Sequence, residues 1–292
     1  MAHSTENQHE SGPRLHRLPP EDIAALLIGA QIFSAFSLHE TLPELAAAGE
    51  ASAASLIAGG KLGFAGAGSS GLMALAERLE LAGTFGIPPE TTPICFAGGP
   101  DALLRLQGQS EDQVALAEAD LDASGLTKGD TIIAVSASGT TPYTLSIARL
   151  AHQRGITVIG IANVEYSDLL SISDHAIYLD TGPEVLAGST RMAAGTAQKI
   201  ALNTIAVLIG IRLGHVHDGY MVNLQAENAK LVQRAADIVS NVAQVKRDEA
   251  LTALELAQGE VKTAILVARG RSAEGARMAI TRNHGHLEGL LD

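Results

Sequence analysis

Two short segments carry residue types whose spacing could do chemistry. The first is Gly66-Ala67-Gly68-Ser69-Ser70-Gly71, which follows an apolar run and opens an Ala/Leu-rich stretch. The second is Ser136-Ala137-Ser138-Gly139-Thr140-Thr141-Pro142, placed the same way after another apolar run. A strand–turn–helix junction aims backbone N–H groups and the positive helix end at an anion. Hydroxyls there add neutral donors, and glycine lets the backbone approach closely. Pro142 suits a first helical turn. One such loop reads equally well as a simple helix cap. The pair together points to one phosphate monoester, with Ser69, Ser70, Ser136, Ser138, Thr140 and Thr141 as expected phosphate ligands. Gly68 and Gly139 are the expected points of backbone approach to the substrate. The first segment also spells G-x-G-x-x-G, a dinucleotide pattern. That reading wants an acid at the end of the second strand, where Phe96-Ala97-Gly98-Gly99 has none.

The elements that must position these loops follow from apolar patterning. Short apolar runs at 62–66, 92–97, 131–135, 156–162 and 175–179 predict strands, separated mostly by helical stretches. This alternation predicts an α/β fold with a doubly wound, mostly parallel five-stranded sheet and flanking helices. A long helix is expected from about 191 to 213. After about residue 230 the strand pattern stops, and helices near 231–243, 247–256, 260–268 and 273–290 predict a small C-terminal helical module. The expected division is a disordered tail at 1–17, a sugar-phosphate-binding catalytic domain at 18–230 and the helical module at 231–292.

Composition narrows the partners. The 292 residues carry 32 acidic and 20 basic side chains, a formal charge of −12. That balance argues against nucleic acid and anionic membrane, which need basic surface. The chain is 46% apolar with four Tyr, five Phe and no Trp, so its core must be aliphatic. Cys95 is the one cysteine, which excludes a disulfide framework and a thiolate metal site. The polar stretch 1–16 lacks an apolar signal region. No uninterrupted apolar run of about 18 residues suggests a membrane span. A cytoplasmic protein is expected. His215-Val216-His217-Asp218 and His284-Gly285-His286 match no recognised metal motif, so no metal is expected.

The two loops resemble the sugar isomerase (SIS) domain. A longer set of segments resembles the N-acetylmuramic acid 6-phosphate etherase family. These are 84–90, 97–99, Gly182-Pro183-Glu184-Val185, Gly188-Ser189-Thr190-Arg191-Met192 and Ala194-Gly195-Thr196-Ala197-Gln198-Lys199. Asn223, Ala226, Asn228, Lys230 and Leu231 extend the likeness, as does Gly259-Glu260-Val261-Lys262-Thr263-Ala264, which is similar to that family's ubiquitin-associated-like tail. The resemblance covers about residues 55–290. It implies a lyase that opens the sugar ring, removes the C2 proton and expels the C3 substituent, with no cofactor. Two carboxyl groups on opposite duties suit that chemistry. The resemblance places them at Glu111, as the C2 base, and Glu80, as the acid at the C3 oxygen. It adds Glu184, Ser189 and Arg191 as substrate-binding residues, and Glu227, Asn228 and Lys230 as residues that either line the site or pack. It also implies a homodimer.

Several positions depart from the family's pattern. Leu72, Thr140 and Ala193 stand where the family has cationic residues. Leu81-Ala82-Gly83 and Asn163-Val164-Glu165-Tyr166 also differ. A muramic substrate carries a lactyl carboxylate besides its phosphate, and a carboxylate in a cleft wants a charged partner. Three missing cations therefore favour N-acetylglucosamine 6-phosphate, with water expelled by a dehydratase. The alternative is lactate expulsion from N-acetylmuramic acid 6-phosphate, with Arg78 or Arg191 replacing the lost charge. A non-catalytic sugar-phosphate sensor is the alternative of another class, and an aldose–ketose isomerase is a third option of the same fold.

Overall fold

The computed structural model describes residues 4–106, 108–226 and 228–291. The chain forms two compact units. The first contains the residues up to Arg78 together with Glu90–Ile205; the second contains Leu79–Pro89 and everything from Ala206 onward. The expected boundary at 230/231 is therefore corrected. Val222 and Leu224 already belong to the apolar core of the second unit, alongside Ala235, Val239 and Ile265.

The first unit opens with two helices, α1 (Pro20–Ser37) and α2 (Leu42–Ile57), joined by a turn at Leu38–Thr41. Five strands follow: β1 (Leu62–Gly66), β2 (Ile94–Phe96), β3 (Thr131–Val135), β4 (Thr157–Ala162) and β5 (His175–Tyr178). Between them run α3 (Gly68–Phe85), α4 (Gly99–Ala102), α5 (Val114–Ser124), α6 (Pro142–Gln153) and α7 (Asp168–Ile172), and α8 (Ala193–Arg212) follows the sheet. The strand order is β2-β1-β3-β4-β5, and every pairing is parallel. This is the expected fold. Alternate side chains serve opposite faces of the sheet. Ala65, Cys95, Ile132, Ala134 and Val158 join Leu121, Tyr143 and Ile147 of α5 and α6 in one cluster. Phe64, Ile133, Ile159 and Ile161 alternate with them and are also fully buried. Burial on both faces explains why these strands read as unbroken apolar runs. Cys95 lies inside, and burial with the nearby Asp120 charge pushes its thiol up to about 12. Tyr143 donates to Asp120 Oδ2 at 2.5 Å.

The amino-terminal stretch departs from expectation. Ser4–Glu6 and Leu15–Arg17 are 3₁₀ turns, and Thr5 is fully buried. A polar sequence concealed this order, because the contacts that hold it come from a distant loop. Two stretches, Pro20–Ile57 and Ala193–Arg212, have the length and apolar composition of a membrane span. The first is two helices interrupted by the 38–41 turn, and Leu45, Ala48 and Ser52 of its second half are buried. The second is more than half buried. The second half of the first stretch and most of the second therefore pack inside the fold, whereas α1 keeps its apolar side chains exposed.

The second unit contains a two-residue hairpin, β6 (Val216–His217) and β7 (Tyr220–Met221), not anticipated from the sequence. Asp218 and Gly219 turn it with φ of 48° and 77°, the left-handed pair that suits a tight hairpin. Helices α9 (Ala229–Ala243), α10 (Arg247–Leu256), α11 (Val261–Ala268) and α12 (Ala273–Arg282) follow, close to the expected spans. Asn228 caps α9 by accepting from Leu231 N at 3.0 Å. Lys262 is buried and donates to the carbonyls of Gly285 (2.9 Å) and Gly214 (3.4 Å). His215 lies beside it, and burial, with the Lys262 charge second, holds its pKa down near 4. A histidine that must stay neutral loses stability as pH falls from its ordinary 6.5 through its folded value. The denaturant midpoint should therefore drop between pH 6.5 and about 4, and His215→Gln should flatten that limb by about 3 kcal/mol, measured by urea unfolding across pH.

Candidate functional site

The site is built where β1 and β3 end side by side. Their register pairs Gly66 with Val135, so the two hydroxyl loops leave the sheet at one level. The strand order reverses direction around this pair, and such a switch point forms the ligand crevice of open α/β sheets. The structure thus brings together Gly68, Ser69 and Ser70 from one loop and Ser136, Ser138, Gly139, Thr140 and Thr141 from the other.

The second loop is internally cross-linked. Ser136 Oγ accepts from Gly139 N at 3.1 Å and shares a hydrogen bond with Thr141 Oγ1 at 2.8 Å. Ser138 Oγ accepts from both the amide and the hydroxyl of Thr140, each at 3.2 Å. Gly139 has φ 66°, and a Cβ there would collide with the Ser167 side chain. These bonds fix the shape of the loop. Ser70 is buried and Ser69 half-buried at the first turn of α3. Among the described residues neither hydroxyl has a hydrogen-bond partner.

Glu111 joins this place from a 3₁₀ turn, Gly108–Asp112. Its carboxylate rests against Gly68: a Cβ at Gly68 would fall within 3.2 Å of Glu111 Cδ, at a φ of 52°. Burial, and then the neighbouring Asp112 charge, hold its pKa above the usual carboxylate range. A carboxylate made more basic in this way suits proton abstraction. Glu80 is exposed on α3, three turns beyond Ser69. It belongs to the second compact unit.

Glu184, expected among the substrate-binding residues, has both carboxylate oxygens engaged within the chain. It is 1% exposed, and its two carboxylate oxygens accept from Ala193 N (3.0 Å) and Ala194 N (2.9 Å). It therefore caps α8 and closes the intervening loop, which carries half-buried Ser189 and exposed Arg191. Arg78 donates to Thr92 O at 2.8 Å. Asn228 and Lys230 lie at the start of α9. Glu227 lies outside the described residues.

A buried polar network escaped sequence reasoning. Gln198 donates to Asn163 Oδ1 at 2.9 Å, and Asn163 donates to Leu179 O and Thr181 Oγ1, each at 3.2 Å. It ties α8 to the ends of β4 and β5. An amide inside the otherwise small and apolar run 193–198 was the available clue.

Comparisons with known proteins bear on this geometry. A SIS domain model matches residues 30–163. An N-acetylmuramic acid 6-phosphate etherase from Deinococcus radiodurans is 38% identical, covering 98% of this chain and 94% of its own. One from Streptomyces coelicolor is 39% identical over 95% and 89% of the two chains. The chain belongs to the N-acetylmuramic acid 6-phosphate etherase family. Among solved structures, a phosphoheptose isomerase from Francisella tularensis matches with a TM-score of 0.52 and 20% identity, over 66% of this chain and 100% of that one. That likeness supports the fold. The relatives' name agrees with the expected lyase chemistry on an amino-sugar 6-phosphate.

The same relatives overturn the dehydratase expectation. Proteins 34–39% identical over nearly the whole chain are named for cleaving the muramic ether. The cation count misled because charge at three positions is a weak proxy for substrate. This family member holds its loops through hydroxyls and amides, and Arg191 stays exposed on the loop that Glu184 closes. Ser136→Ala removes the acceptor for Gly139 N and the partner of Thr141. It should weaken phosphate affinity about fivefold, the equivalent of about 1 kcal/mol, measured by calorimetric titration with inorganic phosphate.

Proposed function

We propose that this chain cleaves the lactyl ether of N-acetylmuramic acid 6-phosphate. The observation that carries this reading is the Glu111 carboxylate, made more basic by burial and set against Gly68 at the first hydroxyl loop. The loops after β1 and β3 hold the phosphate through Ser69, Ser70, Ser136, Ser138, Thr140 and Thr141. In the open-chain aldehyde the C2 proton is acidic, and Glu111 takes it. The electron pair forms the C2–C3 double bond, the C3–O bond breaks, and the departing lactate oxygen takes up a proton, the role that the family resemblance assigns to Glu80. Arg191 supplies positive charge from the loop closed by Glu184. The elimination balances without a redox step, and no cofactor is called for.

Purified protein should release D-lactate from the muramic substrate. Glu111→Gln should lower that rate at least about a thousandfold, as loss of a general base does. Gly68→Ala should lower it about a hundredfold, because the added methyl displaces the carboxylate. Both variants should remain folded by circular dichroism. Lactate release that persists in Glu111→Gln sinks the assignment.

We also infer a homodimer formed through α1, in a cytoplasmic protein. Ile28 (59%), Ile32 (54%), Phe33 (60%) and Phe36 (65%) are exposed on that helix. Their spacing of four, one and three residues makes one apolar stripe, and stripes of this kind mark association surfaces. A sugar phosphate does not cross a bilayer unaided, which supports the cytoplasm. Light scattering should give a mass near 60 kDa, twice the 30.2 kDa of one chain. Ile32→Glu with Phe36→Glu should shift it to the monomer. A wild-type monomer at micromolar concentration would refute this interface.

A further inference from the structure

The Gln198–Asn163–Thr181 network lies inside the first unit, and the reaction chemistry above leaves it unused. Its direction is fixed by one carbonyl. Leu179 O can only accept, so Asn163 turns Nδ2 toward it (3.2 Å) and toward Thr181 Oγ1 (3.2 Å). Asn163 Oδ1 then faces Gln198, which donates through Nε2 at 2.9 Å. Gln198 Oε1 meets no donor among the described residues, so this side chain directs its hydrogen bonding to Asn163 alone. Asn163 and Gln198 are both 0% exposed, and Thr181 is 5% exposed. The backbone of Asn163 reaches further. Its N–H donates at 2.9 Å to the carbonyl of Ala137, which lies between Ser136 and Ser138 in the second hydroxyl loop.

Three attachments thus meet at one residue. Thr181 begins the segment that Glu184 closes, and Gln198 lies one turn beyond the amides that Glu184 caps. Asn163 therefore holds both ends of residues 181–198, the segment that carries Ser189 and Arg191, while its own amide holds the second hydroxyl loop. We propose that Gln198 and Asn163 are positioning residues that keep the 181–198 segment in register with the second hydroxyl loop, so that the phosphate and the lactyl carboxylate of one substrate are held at a fixed separation. The substrate part rests on the reading above, with Arg191 supplying the positive charge. The joint itself does not. A buried amide pair suits this duty, because its hydrogen bonds are directional and breaking one leaves an enclosed acceptor unpaired. An apolar contact would hold the same elements together without fixing their register.

The test compares Gln198→Leu, which removes the donor at similar volume, with Gln198→Glu, which donates to Asn163 Oδ1 only while its carboxyl is protonated. In Gln198→Leu the KM for N-acetylmuramic acid 6-phosphate should rise about tenfold, as for loss of one buried hydrogen bond, with kcat within about threefold of wild type. Affinity for inorganic phosphate, which engages the hydroxyl loops alone, should stay within about twofold by calorimetric titration. In Gln198→Glu the ratio of variant to wild-type KM should climb from near unity as pH rises across about 5 to 8, the range in which a buried carboxyl ionises. Asp180 and Glu184 are the neighbouring carboxyls in the chain, and both proteins share them, so their titration cancels in the ratio. An unchanged KM in Gln198→Leu, or a pH-independent ratio in Gln198→Glu, overturns the positioning role. A loss of phosphate affinity that matches the rise in KM also overturns it, since that marks a general loosening of the unit. If Gln198→Leu does not fold, the Gln198→Glu series decides alone. If the wild type turns over no muramic substrate, only the substrate reading falls. Hydrogen exchange of a peptide spanning 182–192 in ligand-free protein then decides the joint: faster exchange in Gln198→Leu upholds it, and unchanged exchange overturns it.

Discussion

The parallel pairing of β1 with β3 is the constraint on which the site depends. With Gly66 level with Val135, two loops separated by about 70 residues open onto one crevice. A slip of one residue would turn the buried side chains of a strand to the opposite face. The core resists that slip because Phe64, Ile132 and Ile133 are all fully enclosed, each worth about 1.5–3 kcal/mol. Asp130 reinforces the register from below. It accepts from Lys61 N (2.7 Å) and Thr127 N (2.7 Å), fastening the start of β1 to the turn before β3. Packing energy far from the chemistry thus sets the geometry of the phosphate loops.

The electrostatics of the site are economical in charge. An acidic chain with a formal charge of −12 presents hydroxyls and amides at the two loops proposed to hold the phosphate. Ser136 and Ser138 spend their acceptor capacity holding the loop in shape. Two carboxylates of this unit, Glu111 and Glu184, are both pushed up by burial, with different consequences. Glu111 has an acidic neighbour and, among the described residues, no hydrogen bond to oppose the shift, so it is left more basic. Glu184 has two amides opposing it, so it is held as a cap. The same residue type does two jobs because its surroundings differ.

The second unit has a core of its own. Its apolar cluster runs from Val222 through α9, α10 and α11 to Leu287. The ion pair of Arg277 with Glu260 (2.8 Å) and the Thr263 hydroxyl bond to the same carboxylate (2.7 Å) organise the start of α11. Lys262 answers its burial with carbonyl oxygens, and its pKa falls to about 8. This internal satisfaction explains why the helical module reads clearly from its amphipathic pattern.

What the sequence by itself determined is local. Apolar runs long enough to be buried on both faces made the five strands legible, and glycine, hydroxyl and proline spacing made the two loops legible as an anion site. Helix periodicity placed α9 to α11 within two residues at each end, whereas the last helix stops at Arg282, short of the expected 290. Whole-chain similarity, beyond single motifs, corrected the leaving group that three missing cations had suggested. Only the tertiary structure decided the rest, because those features depend on contacts between residues distant in the chain. The pairing of the Glu184 oxygens with the amides of Ala193 and Ala194 is one such contact. Residues 1–17 looked disordered because their composition is polar, whereas Thr5 is buried through a bond to Gly188, more than 180 residues away. Glu111 was one acid among 32 until burial beside Gly68 changed its basicity. Residue type sets which hydrogen bonds and charges are available; packing decides which of them are desolvated, and desolvation is what turns a common side chain into a functional one.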